Sequence, residues 1–373
     1  MQVRAAVLVE DGRPRPYASS RPVEVVELEL GGPGPGELRV RIDAASLCHS
    51  DLSVVDGSRP RPTPMVLGHE ATGIVVEVGA GVRDVDVDDR VAFVFVPRCG
   101  ACAACAAGTP ARCGPAAAAN TAGEMLSGGH RWGTLGGRQV GHHLGVSAFA
   151  EQVVVDRGSV VVVPRDVPAE TATLFGCALL TGVGAVWHTS GLRPGESAAV
   201  FGLGGVGLAA ILGCVLAGAS PVVAVDPVAA KRDLAVELGA THAFHPDEAT
   251  EAIRDLTGGG VQHAFEAVGS AAVLRAAWDA GGRGSTTVTV GLPHPSQELT
   301  VPAVQIVGES RTLKGSYLGD AVPERDIPRF AALWRDGRLP ADRLRSGELA
   351  LGEVNTALDA LADGHALRQV LRP

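Results

Sequence analysis

The chain has 373 residues, is 46% hydrophobic and 20% charged, and carries a formal net charge of −9. This balance predicts a globular protein with an ample core, and the acidic charge speaks against nucleic acid or an acidic membrane surface as a partner. Aromatic residues make up only 4% of the chain, so we expect a core built from Val, Leu, Ile and Ala.

The chain shows no targeting or membrane signal. Its first residues lack the apolar segment of a signal peptide, and no run reaches the roughly 18 apolar residues needed to span a membrane. Several of the seven cysteines are clustered, which favours metal binding in a reducing compartment over a disulfide scaffold. We therefore expect a cytoplasmic protein with no membrane partner.

Residues 1 to about 165 contain short runs of strand-forming residues separated by Gly and Pro. This pattern is typical of an antiparallel, barrel-like β domain. The clearest runs are 37–44, 73–78, 90–96 and 151–155.

Four cysteines with metal-ligand spacing lie in a loop of this half. Thiolates so close in sequence can all bind one tetrahedral Zn²⁺. Four sulfurs leave zinc no open position, so we expect a structural zinc and look for catalysis elsewhere. The four residues are Cys99, Cys102, Cys105 and Cys113.

From about residue 195 the pattern changes to alternating strands and helices, which predicts a doubly wound parallel sheet. Two amphipathic helices, 327–335 and 354–362, and a short run at 369–371 follow. The predicted strands are 197–201, 221–225, 264–267, 286–290 and 312–315, and the predicted helices between them are 205–217 and 229–238.

A G-x-G-x-x-G motif follows the first of these strands and opens an apolar helix. In this context the glycines allow a tight turn and close approach of the backbone to a pyrophosphate. Asp226 ends the next strand, where a carboxylate binds ribose hydroxyls and repels a 2′-phosphate, so we expect NAD(H) rather than NADP(H). The motif comprises Gly202, Gly204, Gly205, Val206 and Gly207.

A second set of metal-ligand residues is spread along the chain. Cys48, His69 and Cys177 would give zinc two thiolates, one imidazole and an open fourth position. Asp51 and Glu70 could support these ligands. Taken singly, Cys177 also fits a core cysteine and His69 a turn histidine; Cys214 we assign to the core.

The motifs Cys48-His49-Ser50-Asp51 and Gly68-His69-Glu70-Ala71-Thr72-Gly73, with the four-cysteine loop and the glycine motif, resemble the zinc-containing medium-chain alcohol dehydrogenase family over essentially the whole chain. The resemblance implies an α/β fold with a GroES-like β-barrel catalytic domain at 1–178 and 318–373 and a Rossmann coenzyme domain at 179–317. It also implies two Zn²⁺ per chain, NAD(H), a small alcohol or aldehyde substrate, and the longer, homodimeric branch.

The resemblance also implies residue roles. Cys48, His69 and Cys177 correspond to the catalytic zinc ligands, and Ser50 to the hydroxyl that takes the substrate proton. The remaining roles are Asp51 as partner of the histidine ligand, Glu70 as a nearby acid that can move onto the metal, His49 and Arg368 on the pyrophosphate, Asp226 and Lys231 on the adenosine ribose, and Phe95, Leu144, Leu292 and Tyr317 in the substrate pocket.

Three features depart from the family pattern or leave alternatives open. Ser53 stands where many members have the histidine that ends the proton relay, so the relay ends at the nicotinamide ribose or in water. Arg59, near the expected pocket mouth, suits either a polar substrate group or a solvated loop. The pair His142–His143 suggests an extra metal or a pocket wall.

The predicted function is reversible oxidation of a primary or secondary alcohol, aromatic or allylic in view of Phe95 and Tyr317, by NAD⁺. One alternative is a formaldehyde dehydrogenase that acts on a glutathione or mycothiol adduct. An alternative of another class is a catalytically silent binding protein that keeps the fold.

Overall fold

The computed structural model describes residues 1–364 and 366–373. The chain folds into two compact units. The first unit comprises Met1–Cys177, Val322–Arg335 and Ala341–Pro373. The second comprises Ala178–Ala321 and Asp336–Pro340. The domain bounds expected from the sequence stay a prediction.

The strands, numbered along the chain, have the following bounds: β1 Gln2–Leu8, β2 Val23–Glu29, β3 Glu37–Ser46, β4 Met65–Val66, β5 Glu70–Val78, β6 Arg90–Phe93, β7 Thr134–Leu135, β8 Arg138–Gln139, β9 Gly141–His142, β10 Gln152–Asp156, β11 Val160–Val162, β12 Ala198–Phe201, β13 Val222–Val225, β14 His242–Phe244, β15 Val261–Glu266, β16 Gly281–Thr289, β17 Thr312–Gly315, β18 Arg345–Ala350 and β19 Arg368–Arg372.

The α-helices are α1 Tyr17–Ser20, α2 His49–Val55, α3 Ala103–Ala106, α4 Gly114–Ala122, α5 Ala169–Ala172, α6 Ala178–Gly184, α7 Gly205–Leu216, α8 Ala229–Glu237, α9 Pro246–Thr257, α10 Ala271–Ala280, α11 Ala303–Gly308, α12 Pro323–Arg335 and α13 Val354–Ala362. A π-helical segment, Ala185–Ser190, continues α6. Short 3₁₀ turns lie at Pro110–Arg112, Arg157–Ser159, Thr173–Gly176, Leu318–Asp320, Ala341–Leu344 and Leu351–Glu353.

The first unit is built on two larger sheets. One has the order β2-β1-β4-β9; the other has the order β11-β6-β5-β3-β19-β18, with β10 also paired to β3. Most of these pairs are antiparallel, as the sequence pattern of this half predicts. The core between them is largely aliphatic, as expected from the composition, and the aromatic side chains of Phe93 and Phe149 are completely buried in it.

The second unit holds one six-stranded sheet of order β14-β13-β12-β15-β16-β17. Every pair in it is parallel, and helices connect the successive strands. The predicted doubly wound parallel sheet is therefore confirmed. Its central strands are buried on both faces, which explains their uninterrupted apolar sequences.

Several strands are longer than the sequence pattern predicts, and β5 and β16 show the reason. Strand β5 begins at Glu70 rather than at residue 73, because it pairs with β3 as far as Ser46. Strand β16 begins at Gly281 rather than at residue 286, because a register irregularity takes up the glycine-rich extra residues beside β15. Both extensions depend on partners distant in sequence.

Within the described residues, no single helix is both long enough and apolar enough to cross a membrane. One bent pair of helical segments, Ala169–Gly176 with Ala178–Ser190, passes the test of length and composition alone.

Candidate metal centres and nucleotide site

The pairing of β3 with β5 brings two of the predicted zinc ligands together. Ser46, at the end of β3, pairs with Glu70, at the start of β5. Cys48 follows β3 at the N-cap of α2, and His69 immediately precedes β5. Residues 21 positions apart in sequence therefore meet at one end of the sheet.

Two glycines allow the ligands to sit this close to the core. Gly68 has φ +92, and a Cβ there would lie 2.4 Å from the Phe149 ring. A Cβ at Gly176 would lie 1.6 Å from the carbonyl oxygen of Phe93. Any side chain at either position would displace the residue that follows it, His69 or Cys177.

Four potential donors converge in this buried place. The sulfurs of Cys48 and Cys177, a ring nitrogen of His69 and a carboxylate oxygen of Glu70 all lie within 4.8 Å of one another. The Cys177 Sγ–His69 Nε2 distance is 3.6 Å. Tetrahedral zinc separates a sulfur and a nitrogen ligand by about 3.5 Å, so the donor set and its spacing fit zinc.

Asp51 holds this cluster in place by hydrogen bonds to Cys48 and His69. Its Oδ2 accepts a hydrogen bond from the Cys48 backbone N–H at 3.0 Å, and its Oδ1 lies 3.0 Å from His69 Nδ1. This bond leaves Nε2 of His69 to face the sulfurs. Burial alone would raise the pKa of Asp51, but the charge of His69 and the hydrogen bonds from His143 and His69 outweigh it and lower the pKa to about 2.

His143 is the residue that sequence reasoning missed at this position. Its Nδ1 lies 3.2 Å from the same oxygen, Oδ1 of Asp51. The sequence offered only an adjacent pair of histidines, with no signal that one of them reaches Asp51 across 92 residues. Its neighbour His142 points elsewhere and accepts a hydrogen bond from the Arg131 backbone N–H at 3.0 Å.

The cluster also contains a buried cation. Arg368 is only 5% exposed, lies 3.4 Å from Glu70 and donates to the Leu47 carbonyl at 3.3 Å. The hydrogen bond with Cys177, followed by the positive charges of Arg368 and His69, holds the pKa of Cys48 well below its usual value. A lowered pKa favours the thiolate, the form in which cysteine binds metal. The pyrophosphate contact expected of Arg368 stays a prediction, as does that of the exposed His49.

Ser50, the first group of the expected proton relay, lies beside the predicted zinc ligands. Ser50 is half-buried, and its Oγ lies 3.8 Å from the sulfur of Cys48. Ser53, which replaces the relay histidine, donates its hydroxyl to the His49 carbonyl at 3.0 Å or the Ser50 carbonyl at 3.2 Å. Its hydroxyl is therefore turned back onto its own helix.

The predicted pocket residues divide between the two units. The Phe95 ring lies edge-on to the His69 ring, with centroids 5.5 Å apart, and Leu144 is buried next to His143 in the chain. Arg59 is half-buried and donates its backbone N–H to the Ser53 carbonyl. Leu292 and Tyr317 belong to the second unit and are 50% and 43% exposed. Their roles toward substrate stay predictions.

The four-cysteine loop forms a second donor set, with its four sulfurs within 4.8 Å of one another. The Cys99–Cys105 and Cys102–Cys113 sulfur pairs are 4.0 and 3.9 Å apart. Tetrahedral zinc separates two thiolate ligands by about 3.8 Å, so this set fits zinc as well. A hydrogen bond from the Cys105 backbone is the largest of the effects that lower the pKa of Cys102 to about 6.

The glycine motif forms a strand–turn–helix in the second unit. It joins β12 to α7, and a Cβ at Gly207 would lie 1.8 Å from the Gly202 carbonyl oxygen, which shows how closely the helix packs on the turn. A Cβ at Gly204 would meet nothing within 4 Å, leaving room for a phosphate at the helix N-terminus. Gly205 and Val206 begin the helix.

Asp226 is tied to this turn. Its carboxylate accepts the Leu203 backbone N–H at 2.8 Å and the Val228 backbone N–H at 2.9 Å, just beyond β13. Lys231 follows, half-buried, in the first turn of α8. The turn, the helix N-terminus and the carboxylate together fit a dinucleotide.

Comparison with known proteins agrees with this geometry. Residues 34–165 match the family model described as alcohol dehydrogenase GroES-like domain, and residues 205–335 match the one described as zinc-binding dehydrogenase. An NDMA-dependent alcohol dehydrogenase of Amycolatopsis methanolica is 38% identical, over 100% of this chain and 99% of its own.

Two solved structures are similar over the whole length. An alcohol dehydrogenase zinc-binding domain protein from Burkholderia ambifaria has a TM-score of 0.93 at 35% identity, covering 100% of this chain and 99% of its own. Benzyl alcohol dehydrogenase from Acinetobacter calcoaceticus has a TM-score of 0.92 at 31% identity, with the same coverage.

The chain belongs to the zinc-dependent medium-chain alcohol dehydrogenase family. It is an oxidoreductase of small-molecule alcohols and aldehydes, with zinc and a nicotinamide nucleotide as cofactors. The predicted family, the GroES-like and Rossmann fold class, and the reaction class are thereby confirmed.

Replacing Cys105 by Ser should remove one zinc from each chain, because three thiolates hold the ion less tightly than four. We expect the midpoint of thermal unfolding to fall by roughly 5–10 °C, which corresponds to about 3 kcal/mol. Zinc content measured by mass spectrometry, together with calorimetry, tests this. The matched control is Cys214→Ala, in the core of α7, which should leave the zinc content unchanged. Full zinc content in the Cys105 variant would contradict the assignment.

Proposed function

We propose that this enzyme oxidises primary or secondary alcohols, preferentially aromatic or allylic ones, with NAD⁺, at a zinc held by Cys48, His69 and Cys177. The observation that carries the proposal is the convergence of these three buried donors within 4.8 Å of one another, with 3.6 Å between Cys177 Sγ and His69 Nε2. Arg368 contributes positive charge beside Cys48, and Asp51 holds the His69 ring. Three protein ligands leave a fourth position for the substrate.

The side chains around the donors have distinct tasks. Bound zinc supplies a Lewis acid that polarises the alcohol oxygen, and bound NAD⁺ supplies the hydride acceptor. Ser50 Oγ accepts the hydroxyl proton of the alcohol. Asp51 holds the His69 ring by its Nδ1–H, and Glu70 lies close enough to replace a ligand at the metal. Ser53 hydrogen-bonds to helix carbonyls, so the proton continues to the nicotinamide ribose or to water.

An aromatic or allylic substrate is favoured by the ring of Phe95. This ring lies against His69 and offers an edge or face to a flat substrate group. The similarity to a benzyl alcohol dehydrogenase supports the same substrate class.

The preference for NAD⁺ over NADP⁺ rests on Asp226. Its carboxylate is 6% exposed and fixed by two backbone N–H groups at the end of β13. A 2′-phosphate brought to this position would meet a fixed negative charge.

We further propose that the enzyme is a homodimer joined through β17 and α11. Strand β17 is outermost in the parallel sheet, where a second copy can extend the ladder. Leu313 on this strand is 42% exposed, and Val304 and Val307 of α11 are 73% and 83% exposed. A second copy presents the same residues, as a two-fold symmetric interface requires.

A panel of alcohols followed by NADH absorbance tests the activity. We expect benzylic and allylic alcohols to be oxidised, and Cys48→Ala to abolish turnover and lower the zinc content. Cys214→Ala is the control and should retain both. Parallel assays contain glutathione or mycothiol with formaldehyde, or NDMA, because one relative depends on NDMA by name.

Each outcome of that panel has one meaning. Turnover of formaldehyde only with a thiol would replace the proposal by the thiol-adduct reaction. Full activity of metal-free enzyme would contradict the zinc mechanism. No turnover of any alcohol by zinc-loaded enzyme would favour a silent binding protein.

Replacing Asp226 by Gly or Asn removes the charge facing the ribose. We expect kcat/KM for NAD⁺ to fall about tenfold and the discrimination against NADP⁺ to relax, in line with the loss of a charged hydrogen bond. Steady-state kinetics with both nucleotides measures this. Asp233→Asn, on an exposed position of α8, is the charge-matched control. A wild-type preference for NADP⁺ would show that Asp226 has another role.

Introducing a charge at the apolar edge should separate the protomers. We expect Val307→Asp to shift the mass measured by light scattering from dimer to monomer, since two like charges would face each other across the two-fold axis. Val236→Asp, on a 48% exposed position of α8, should remain a dimer. A monomeric wild type, or a dimeric Val307→Asp variant, would refute this interface.

A further inference from the structure

One oxygen of Asp51 is shared by two histidines. Its Oδ1 lies 3.0 Å from His69 Nδ1 and 3.2 Å from His143 Nδ1. The two rings are perpendicular, with centroids 5.4 Å apart. All three side chains are 0–1% exposed, so water does not compete for these bonds.

The hydrogen-bond chemistry of this trio is determined by the carboxylate. An ionised Asp51 only accepts hydrogen bonds, so the Nδ1 of His69 carries the proton that it donates to Oδ1. The Cys48 backbone N–H donates to Oδ2. Among the described residues, His143 Nδ1 has no well-aligned hydrogen-bond partner, so its 3.2 Å approach to Oδ1 is a close polar contact from a third segment. Removing this contact would leave Oδ1 with His69 alone and Asp51 freer to rotate.

His143 is itself held firmly in place. Its backbone N–H donates to Ser147 Oγ at 2.9 Å, and that hydroxyl donates to the Val66 carbonyl at 2.9 Å. Leu144 and Ser147 adopt left-handed backbone angles, with φ 54 and φ 57. Such angles cost about 1 kcal/mol each for residues other than glycine, so surrounding contacts must maintain this turn.

We propose that His143 is a positioning residue of the zinc site, which acts through Asp51 to fix the orientation of His69 and to moderate its strength as a ligand. Through its close polar contact with Oδ1, His143 offsets part of the negative charge of Asp51 that acts on His69. Outer hydrogen-bond partners of this kind govern metal affinity and activity. The inference rests on the proposed zinc function of Cys48, His69 and Cys177.

The same three residues could instead be considered a metal site of their own, because their donor atoms lie within 4.8 Å of one another. That arrangement would require His69 to lose its Nδ1 proton and to bind a metal through each nitrogen. It would place two cations on opposite sides of one imidazole and deprive Asp51 of its donor. The positioning role requires no such loss.

The test compares two substitutions of His143. His143→Phe keeps the ring volume but removes the donor, whereas His143→Asn places an amide N–H close to the position of Nδ1. We expect His143→Phe to weaken zinc retention at the catalytic site about tenfold in competition with a chelator, and His143→Asn to stay within about threefold of wild type.

Two further measurements separate positioning from general stability. In the Co²⁺-substituted enzyme, His143→Phe should shift the ligand-field absorption bands, and His143→Asn should restore them. In kinetics, His143→Phe should lower kcat more than it raises KM, because the metal surroundings change and the pocket does not. His142→Gln keeps the acceptor for Arg131 in the same segment and serves as the matched control, with zinc retention and spectrum unchanged.

The outcomes distinguish this inference from the proposed function. If wild type holds no zinc that depends on Cys48, the proposed function fails. If wild type holds that zinc and His143→Phe retains it with unchanged spectrum and kcat, only the role of His143 is refuted. A third metal per chain that disappears with His143 would also refute it. If His143→Phe does not fold, His143→Gln takes its place, because its amide mimics Nε2 rather than Nδ1. We then expect His143→Gln to weaken zinc retention and His143→Asn to keep it, and equal zinc retention in the two variants would refute the role of His143.

Discussion

The catalytic half of this protein depends on a negative charge buried without exposure to water. The Asp51 carboxylate is 0% exposed, and its pKa stays low because it accepts hydrogen bonds from the Cys48 backbone N–H and from His69 and lies 3.2 Å from His143 Nδ1. A buried charge without such partners would cost several kcal/mol. The three segments that contact it, at Cys48, His69 and His143, must therefore meet at one point, and this requirement restricts where the ligands for zinc can lie.

The backbone provides that convergence through strand register. The pairing of Ser46 with Glu70 fixes Cys48 and His69 at one end of the same sheet. A shift of one strand by one residue would turn its side chains to the other face of the sheet and separate the two ligands. Gly68 and Gly176 then permit approaches to Phe149 and Phe93 that a Cβ would prevent. The positions of the zinc ligands thus depend on strand pairing and on the two glycines, Gly68 and Gly176.

The features that could be predicted from sequence are those encoded over short distances. The four-cysteine loop and the turn from Gly202 to Gly207 carry their ligands within a few residues, so spacing alone indicated a donor set and a strand–turn–helix. The parallel sheet followed from alternating apolar strands and helices. Cys177 and His69, 108 residues apart, were grouped by residue type and by the family resemblance, because no local spacing links them. The contact of His143 with Asp51 and the burial of Arg368 beside Glu70 had no local signal, because both depend on how distant segments pack.

The central claim is that Cys48, His69 and Cys177 bind one zinc ion and the four-cysteine loop binds another. A crystal structure with anomalous diffraction measured on both sides of the zinc absorption edge tests it most directly. We expect two zinc peaks per chain, one in contact with Cys48, His69 and Cys177 and one surrounded by the four clustered cysteines. A zinc-loaded crystal with no peak at Cys48, His69 and Cys177 would contradict this account.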